Sequence, residues 1–258
     1  MQKKYLQLTT QKIAYFEMGE GTPLIILPGW GLTSDKFLEL QKILSKNFHT
    51  FSLDLPGVGE STNPEKPYSV SDYAHVVCEF IRKLNLPQYN ILAHSFGGRI
   101  AIKIAAESPV KLKHLILTGA AGIKDKNNLK KNIFKILAKT GNAFFSLPII
   151  SKMEKSARKI LYRLSKGYDY LKLTDPIMKK TFQLIVEENL TNLLHKINIP
   201  TLLLWGREDT LTPVSHAKIM HEKIKNSQII IYDNIGHRLP YAMPDEFAEQ
   251  VEKWFYKK

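Results

Sequence analysis

Six short apolar runs, each closing in a turn, constrain this chain most. They are Pro23-Leu24-Ile25-Ile26-Leu27, Thr50-Phe51-Ser52-Leu53-Asp54, Tyr89-Asn90-Ile91-Leu92, Leu115-Ile116-Leu117-Thr118, Thr201-Leu202-Leu203-Leu204-Trp205 and Gln228-Ile229-Ile230-Ile231-Tyr232. Most are apolar at consecutive rather than alternate positions, so a strand built from them has no face left for water. Amphipathic stretches lie between them, among them Asp35 to Leu44 and Val70 to Leu84. Such alternation predicts an α/β fold with a mostly parallel sheet covered by helices on both faces. Residues 4–18 read as two further short strands, with the alternating segment Lys12-Ile13-Ala14-Tyr15-Phe16-Glu17 and a turn at Gly19-Glu20-Gly21, which brings the sheet to about eight strands. In sheets of this kind, sites form at the carboxyl ends of the strands.

Between about residues 121 and 190 the alternation stops. Asn127 to Lys139, Ile150 to Leu164 and Pro176 to Glu188 read as amphipathic helices with no good strand among them. The expected organisation is a core domain of residues 1–120 and 191–258, with a helical cap of 121–190 lying over the strand ends like a lid. Its apolar positions, including Phe134, Leu137, Phe144, Phe145, Ile160 and Phe182, outnumber those of a helix that meets only solvent, so several are expected to face the core domain or a pocket. The cap also holds 15 Lys or Arg against 6 Asp or Glu.

The whole chain has 37 basic and 24 acidic residues, a formal charge of +13 that invites a nucleic-acid reading. No helix-turn-helix, zinc-finger or RNA-binding aromatic motif accompanies the charge, and Lys is the usual residue of a solvated helix face, so no nucleic-acid partner is expected. Cys78 is the only cysteine, which excludes an intrachain disulfide and a cysteine-based metal site, and it reads as a small buried apolar residue. No run approaches the ~18 apolar residues of a membrane span, and Met1 to Leu6 lacks the apolar stretch of a secretory leader. A cytoplasmic location follows as the expectation. Oligomeric state cannot be read from the sequence.

The chemistry centres on Ala93-His94-Ser95-Phe96-Gly97, between an apolar strand and the helix-like Gly98 to Ala106. Very small residues two positions either side of the serine let strand and helix backbones approach closely, and the turn between them can hold one side chain strained and exposed. The new helix also aims free N–H groups at the space beside Ser95. Ser95 is thus a candidate nucleophile, although the pentapeptide alone also fits an ordinary helix start. A nucleophilic serine needs a base and a carboxylate to orient that base. Of eight histidines, His237 in Asn234-Ile235-Gly236-His237 follows a strand in a glycine turn, whereas the others better fit surface or satisfied polar positions. His94 adjoins Ser95, but successive strand residues face opposite ways, which argues against it as the base. Gly206-Arg207-Glu208-Asp209 places two acids just past a strand. Asp209 is the choice; Glu208 would substitute only if the loop turned differently, and Asp54 precedes the nucleophile in the chain.

With Pro28-Gly29-Trp30-Gly31, Asp54-Leu55-Pro56-Gly57-Val58-Gly59-Glu60-Ser61, Ala93 to Gly98, Gly206 to Asp209 and Gly236-His237 in this order, the chain resembles the capped α/β-hydrolase fold family over essentially its full length. The resemblance implies a Ser95–His237–Asp209 triad and an oxyanion hole made by the backbone N–H groups of Trp30 and Phe96. It implies no metal and no organic cofactor, a small-molecule substrate, and hydrolysis of a small carboxylic ester through an acyl-enzyme. Carbon–carbon bond hydrolase, acyltransferase and aminopeptidase activities, or a non-catalytic ligand-binding role, are the alternatives. Two positions depart from the family's pattern: Ala93 replaces a glycine, and Pro28 replaces a histidine whose side-chain hydrogen bonds a proline cannot supply. Arg238 and Tyr241, just after the proposed base, fit either substrate contact or plain surface.

Overall fold

The computed structural model describes residues 2–107, 111–124 and 174–256. Eight strands form one sheet in the order β1-β2-β4-β3-β5-β6-β7-β8. In chain order these are β1 (Lys4–Gln7), β2 (Lys12–Met18), β3 (Thr22–Leu27), β4 (Phe48–Leu53), β5 (Tyr89–His94), β6 (Leu112–Thr118), β7 (Thr201–Gly206) and β8 (Ser227–Tyr232). β2 pairs antiparallel with β1 and β4, and every other pairing is parallel.

The continuous apolar runs are explained by what covers each face. Ile25, Leu27, Ile91, Ala93, Leu115, Leu117, Leu203 and Trp205 point to one side, where α2 (Val70–Lys83), α3 (Phe96–Glu107) and α5 (Val214–Lys223) bury them. The residues between them, Leu24, Ile26, Leu92, Ile116, Leu202 and Leu204, meet α1 (Leu38–Leu44) and α7 (Pro244–Tyr256) on the other. Ser69 caps α2 reciprocally with Asp72: the Ser69 hydroxyl accepts from the Asp72 N–H at 3.3 Å, and the Asp72 carboxylate accepts from the Ser69 N–H at 2.7 Å. The amphipathic stretch at Asp35 begins as a 3-10 turn, Ser34–Phe37, before α1.

Of the expected cap helices, the first two lie outside the described residues. The third is α4 (Pro176–Glu187), one residue shorter than expected, with Asp175 accepting the Ile177 and Met178 N–H groups at its start. It docks on the sheet domain through buried Thr181, whose hydroxyl accepts the Tyr68 N–H at 3.0 Å. Just beyond it, Arg99 donates to the Glu188 carbonyl at 2.7 Å, and the Leu190 N–H donates to Gly122 O at 2.8 Å. No helix among the described residues is long and apolar enough to cross a membrane.

Candidate active site

Ser95 stands between the last residue of β5 and the first of α3, at φ +53, in the left-handed region that costs a non-glycine residue about 1–3 kcal/mol. Its neighbours hold it there. The Ser95 N–H donates to Thr118 O at 3.1 Å, while its carbonyl accepts from the Gly98 and Ala121 N–H groups, each at 3.0 Å. The turn is tight enough that a Cβ at position 97 would lie 2.3 Å from the Leu27 carbonyl oxygen, so only glycine fits. The Gly97 N–H donates to Pro28 O at 3.0 Å. Pro28 therefore ties the Gly29–Trp30 loop to the serine turn through its main chain, which needs no side-chain donor. A Cβ on Gly29 would come within 3.2 Å of Ser95 Cβ, so this loop lies directly against the serine.

The Trp30 and Phe96 N–H groups donate to no acceptor among the described residues. Phe96 is buried, with its ring edge-on to Tyr73 (5.0 Å between centroids) and Trp30 (5.3 Å). Trp30 in turn meets Phe182 of α4 at 5.3 Å. The far end of the loop is anchored by Asp54. This buried carboxylate accepts from the Ser34 N–H and hydroxyl, both at 2.7 Å, from the Glu60 N–H at 3.0 Å and from Lys3 at 2.9 Å.

His237 lies in the loop after β8 and Asp209 in the loop after β7. The two loops are stitched together where the Glu208 N–H donates to Ile235 O at 3.0 Å. His237 Nδ1 is 2.7 Å from Asp209 Oδ2. A carboxylate accepts, so Nδ1 carries a proton, and in the neutral ring Nε2 is then the nitrogen with the lone pair. Asp209 Oδ1 accepts the Leu211 and Thr212 N–H groups, both at 2.8 Å, and Trp205 Nε1 fixes the loop by donating to Thr212 O at 2.7 Å. Burial opposes the charge on Asp209, but His237 and the Thr212 N–H and hydroxyl outweigh it and hold this carboxyl below the usual range. Glu208 turns its side chain to solvent. Of the two neighbouring acids, it is the Asp209 carboxylate that reaches His237.

Among the described residues no hydrogen bond joins Ser95 to His237. Nucleophile–base bonds are often long or misaligned before substrate docks, and tighten in the complex. Three contributors were missed from sequence. Thr212 Oγ1 lies 2.8 Å from Asp209 Oδ2 and 3.2 Å from His237 Nδ1; a threonine three residues after an acid in a turn is the signal that could have found it. Gly119, at φ +50, leaves space that a Cβ would fill to within 3.0 Å of His237 Nδ1. His94 donates towards the His237 main chain rather than towards Ser95. Arg238 is exposed, and Tyr241 packs its ring on Phe37 and His94. Two cavities of about 560 and 640 Å³ border α2, and neither is lined by Ser95, His237, Asp209, Trp30 or Phe96.

Residues 22–241 match the family described as alpha/beta hydrolase fold. The chain belongs to that family. Curated members similar to this hydrolase include a monoacylglycerol lipase of Xenopus laevis, 27% identical with 96% of this chain and 80% of the relative covered. Another is the pimeloyl-[acyl-carrier protein] methyl ester esterase of Nitrosomonas europaea, 24% identical with 89% and 94% covered. Among solved structures, a membrane phospholipase A described as a bacterial virulence factor superposes at a TM-score of 0.76 with 26% identity, covering 98% of this chain and 85% of that one. A thermophilic esterase from Thermogutta terrifontis superposes at 0.75 with 21% identity over 100% and 99%, which speaks for the fold alone.

Proposed function

We propose that this hydrolase cleaves a small carboxylic ester through an acyl-enzyme on Ser95, with His237 as base, Asp209 as its orienting carboxylate, and the Trp30 and Phe96 N–H groups as the oxyanion hole. The observation that carries the reading is the 2.7 Å bond from His237 Nδ1 to buried Asp209, together with a serine held at φ +53 on a strand-to-helix turn whose preceding residue, His94, packs its ring on His237. That bond leaves His237 Nε2 free to take a proton. Ser95 Oγ attacks the ester carbonyl as its proton passes to Nε2, and the carbonyl oxygen gains negative charge facing the two unspent N–H groups. The imidazolium then protonates the leaving alcohol as the C–O bond breaks. Water enters, gives a proton to Nε2, and its oxygen attacks the acyl carbon; collapse returns that proton to Ser95 and frees the acid.

That the similar proteins include a monoacylglycerol lipase and a methyl ester esterase favours this bond over an amide or a carbon–carbon bond. We take residues 121–190 as the cap, with residues 1–120 and 191–258 as the core, and α4 as the part of the cap that reaches the oxyanion loop through Phe182 and Trp30. The test is a panel of esters varied in acyl length and leaving group, run alongside Ser95→Ala. Turnover of at least one ester, lost in the variant, is expected. Equal rates for both proteins across the panel would refute the assignment.

A further inference from the structure

His94 is a buried titratable residue that the chemistry above leaves unused. Its Nε2 lies 2.9 Å from the main-chain oxygen of His237. A carbonyl only accepts, so Nε2 carries the proton of this ring and Nδ1 has none. Nδ1 is buried without a hydrogen-bond partner, close enough to Gly29 that a Cβ there would stand 3.1 Å away. The ring also packs against the His237 imidazole, 4.7 Å between centroids, with Phe37 and Tyr241 behind it at 5.9 and 5.7 Å. An apolar side chain would fill this volume without leaving a buried nitrogen unpaired. What the histidine adds is therefore the Nε2 bond.

We propose that His94 is a positioning residue for His237, its ring holding the main chain of the base by a hydrogen bond and the imidazole of the base by packing. The inference rests on His237 being the base. His237 sits in a loop, between β8 and the short helix α6 (Leu239–Ala242), so no ladder of its own fixes its direction. His94, on the central strand β5, is rigid, and lends that rigidity to the loop. Burial, and then the neighbouring His237, push the pKa of His94 down to about 3, so it stays neutral and keeps the one tautomer that can donate to the carbonyl.

Steady-state kinetics on the best ester, with thermal melts, test this in His94→Leu, His94→Gln, His94→Asn and His237→Ala. The glutamine amide can reach the Nε2 position, whereas the shorter asparagine amide falls near Nδ1. Misplacing a base by an ångström costs on the order of 100-fold, so His94→Leu and His94→Asn should lose about that much in kcat with KM nearly unchanged, while His94→Gln recovers to within about tenfold of the wild type. Wild-type kcat in a folded His94→Leu or His94→Asn protein would overturn the proposal. So would His94→Gln being as impaired as His94→Asn, since the ring would then be acting only as packing. Full activity in His237→Ala would instead remove the base assignment itself, and this proposal with it.

Discussion

At the scale of single residues, a strained serine and a buried carboxylate need each other's surroundings. Ser95 stays at φ +53 because Thr118, Gly98 and Ala121 take up its main-chain groups, and because Gly97 leaves the turn room. Asp209 stays charged because its two oxygens accept from His237 Nδ1 and the Leu211 and Thr212 N–H groups. Asp209→Asn keeps the shape but offers an amide to Nδ1, which favours the wrong imidazole tautomer. Its kcat should fall by about 10³–10⁴-fold, whereas Glu208→Gln, altering a side chain in solvent, should stay within about twofold. Rates measured side by side check this, and the reverse pattern would move the role to Glu208. In the sequence these two acids are adjacent and equally placed after a strand. Only the turn that points the Leu211 and Thr212 N–H groups back at position 209 separates them, and that turn depends on Trp205 reaching Thr212 O.

At the scale of elements, the inner strands β3 to β7 were legible because burial on both faces writes itself as unbroken apolar runs, and α2 because its cap and periodicity agree. Less was legible where contacts between distant segments decide. The 3-10 turn at Ser34–Phe37 starts where Asp54, on another strand end, takes the Ser34 N–H. The Pro28 loop departs from the family's side-chain pattern yet holds its place through a main-chain bond to Gly97, which no residue type announces. The helix α4 reaches the proposed site, since Phe182 touches the ring of Trp30, whose N–H is one of the two proposed oxyanion donors. Phe182→Ala should therefore shift the preference between short and long acyl esters by about 1–3 kcal/mol, leaving the reactivity of Ser95 in place. Ratios of kcat/KM across the ester panel read this out; a flat profile would detach α4 from specificity.

At the scale of the whole molecule, the sign of the titration shifts predicts how stability changes in acid. Asp35 is held below the usual carboxylate range by Lys3; in Glu17, Glu79 and Asp209 burial pushes the other way and is outweighed by Lys4 and His49, by Thr9, and by His237 and Thr212. For these four the unfolded chain binds more protons near pH 4, so their contribution is present above that pH and is lost as pH falls through the folded values. His94 acts earlier, because an unfolded histidine takes its proton near pH 6.5 while the folded one resists to about 3. Melting temperature should thus decline gently below about pH 6.5 and steeply below about pH 4, and a curve flat to pH 3 would contradict the contacts of these carboxylates and the burial of His94. The proposed chemistry makes Ser95 alone, of all the serines in the chain, a covalent nucleophile. The direct measurement is intact-mass and peptide mapping of the protein after reaction with a fluorophosphonate. A single adduct is expected, on Ser95, absent together with ester turnover in Ser95→Ala; an adduct on another residue, or a Ser95→Ala protein that still turns over ester at the wild-type rate, would overturn the assignment.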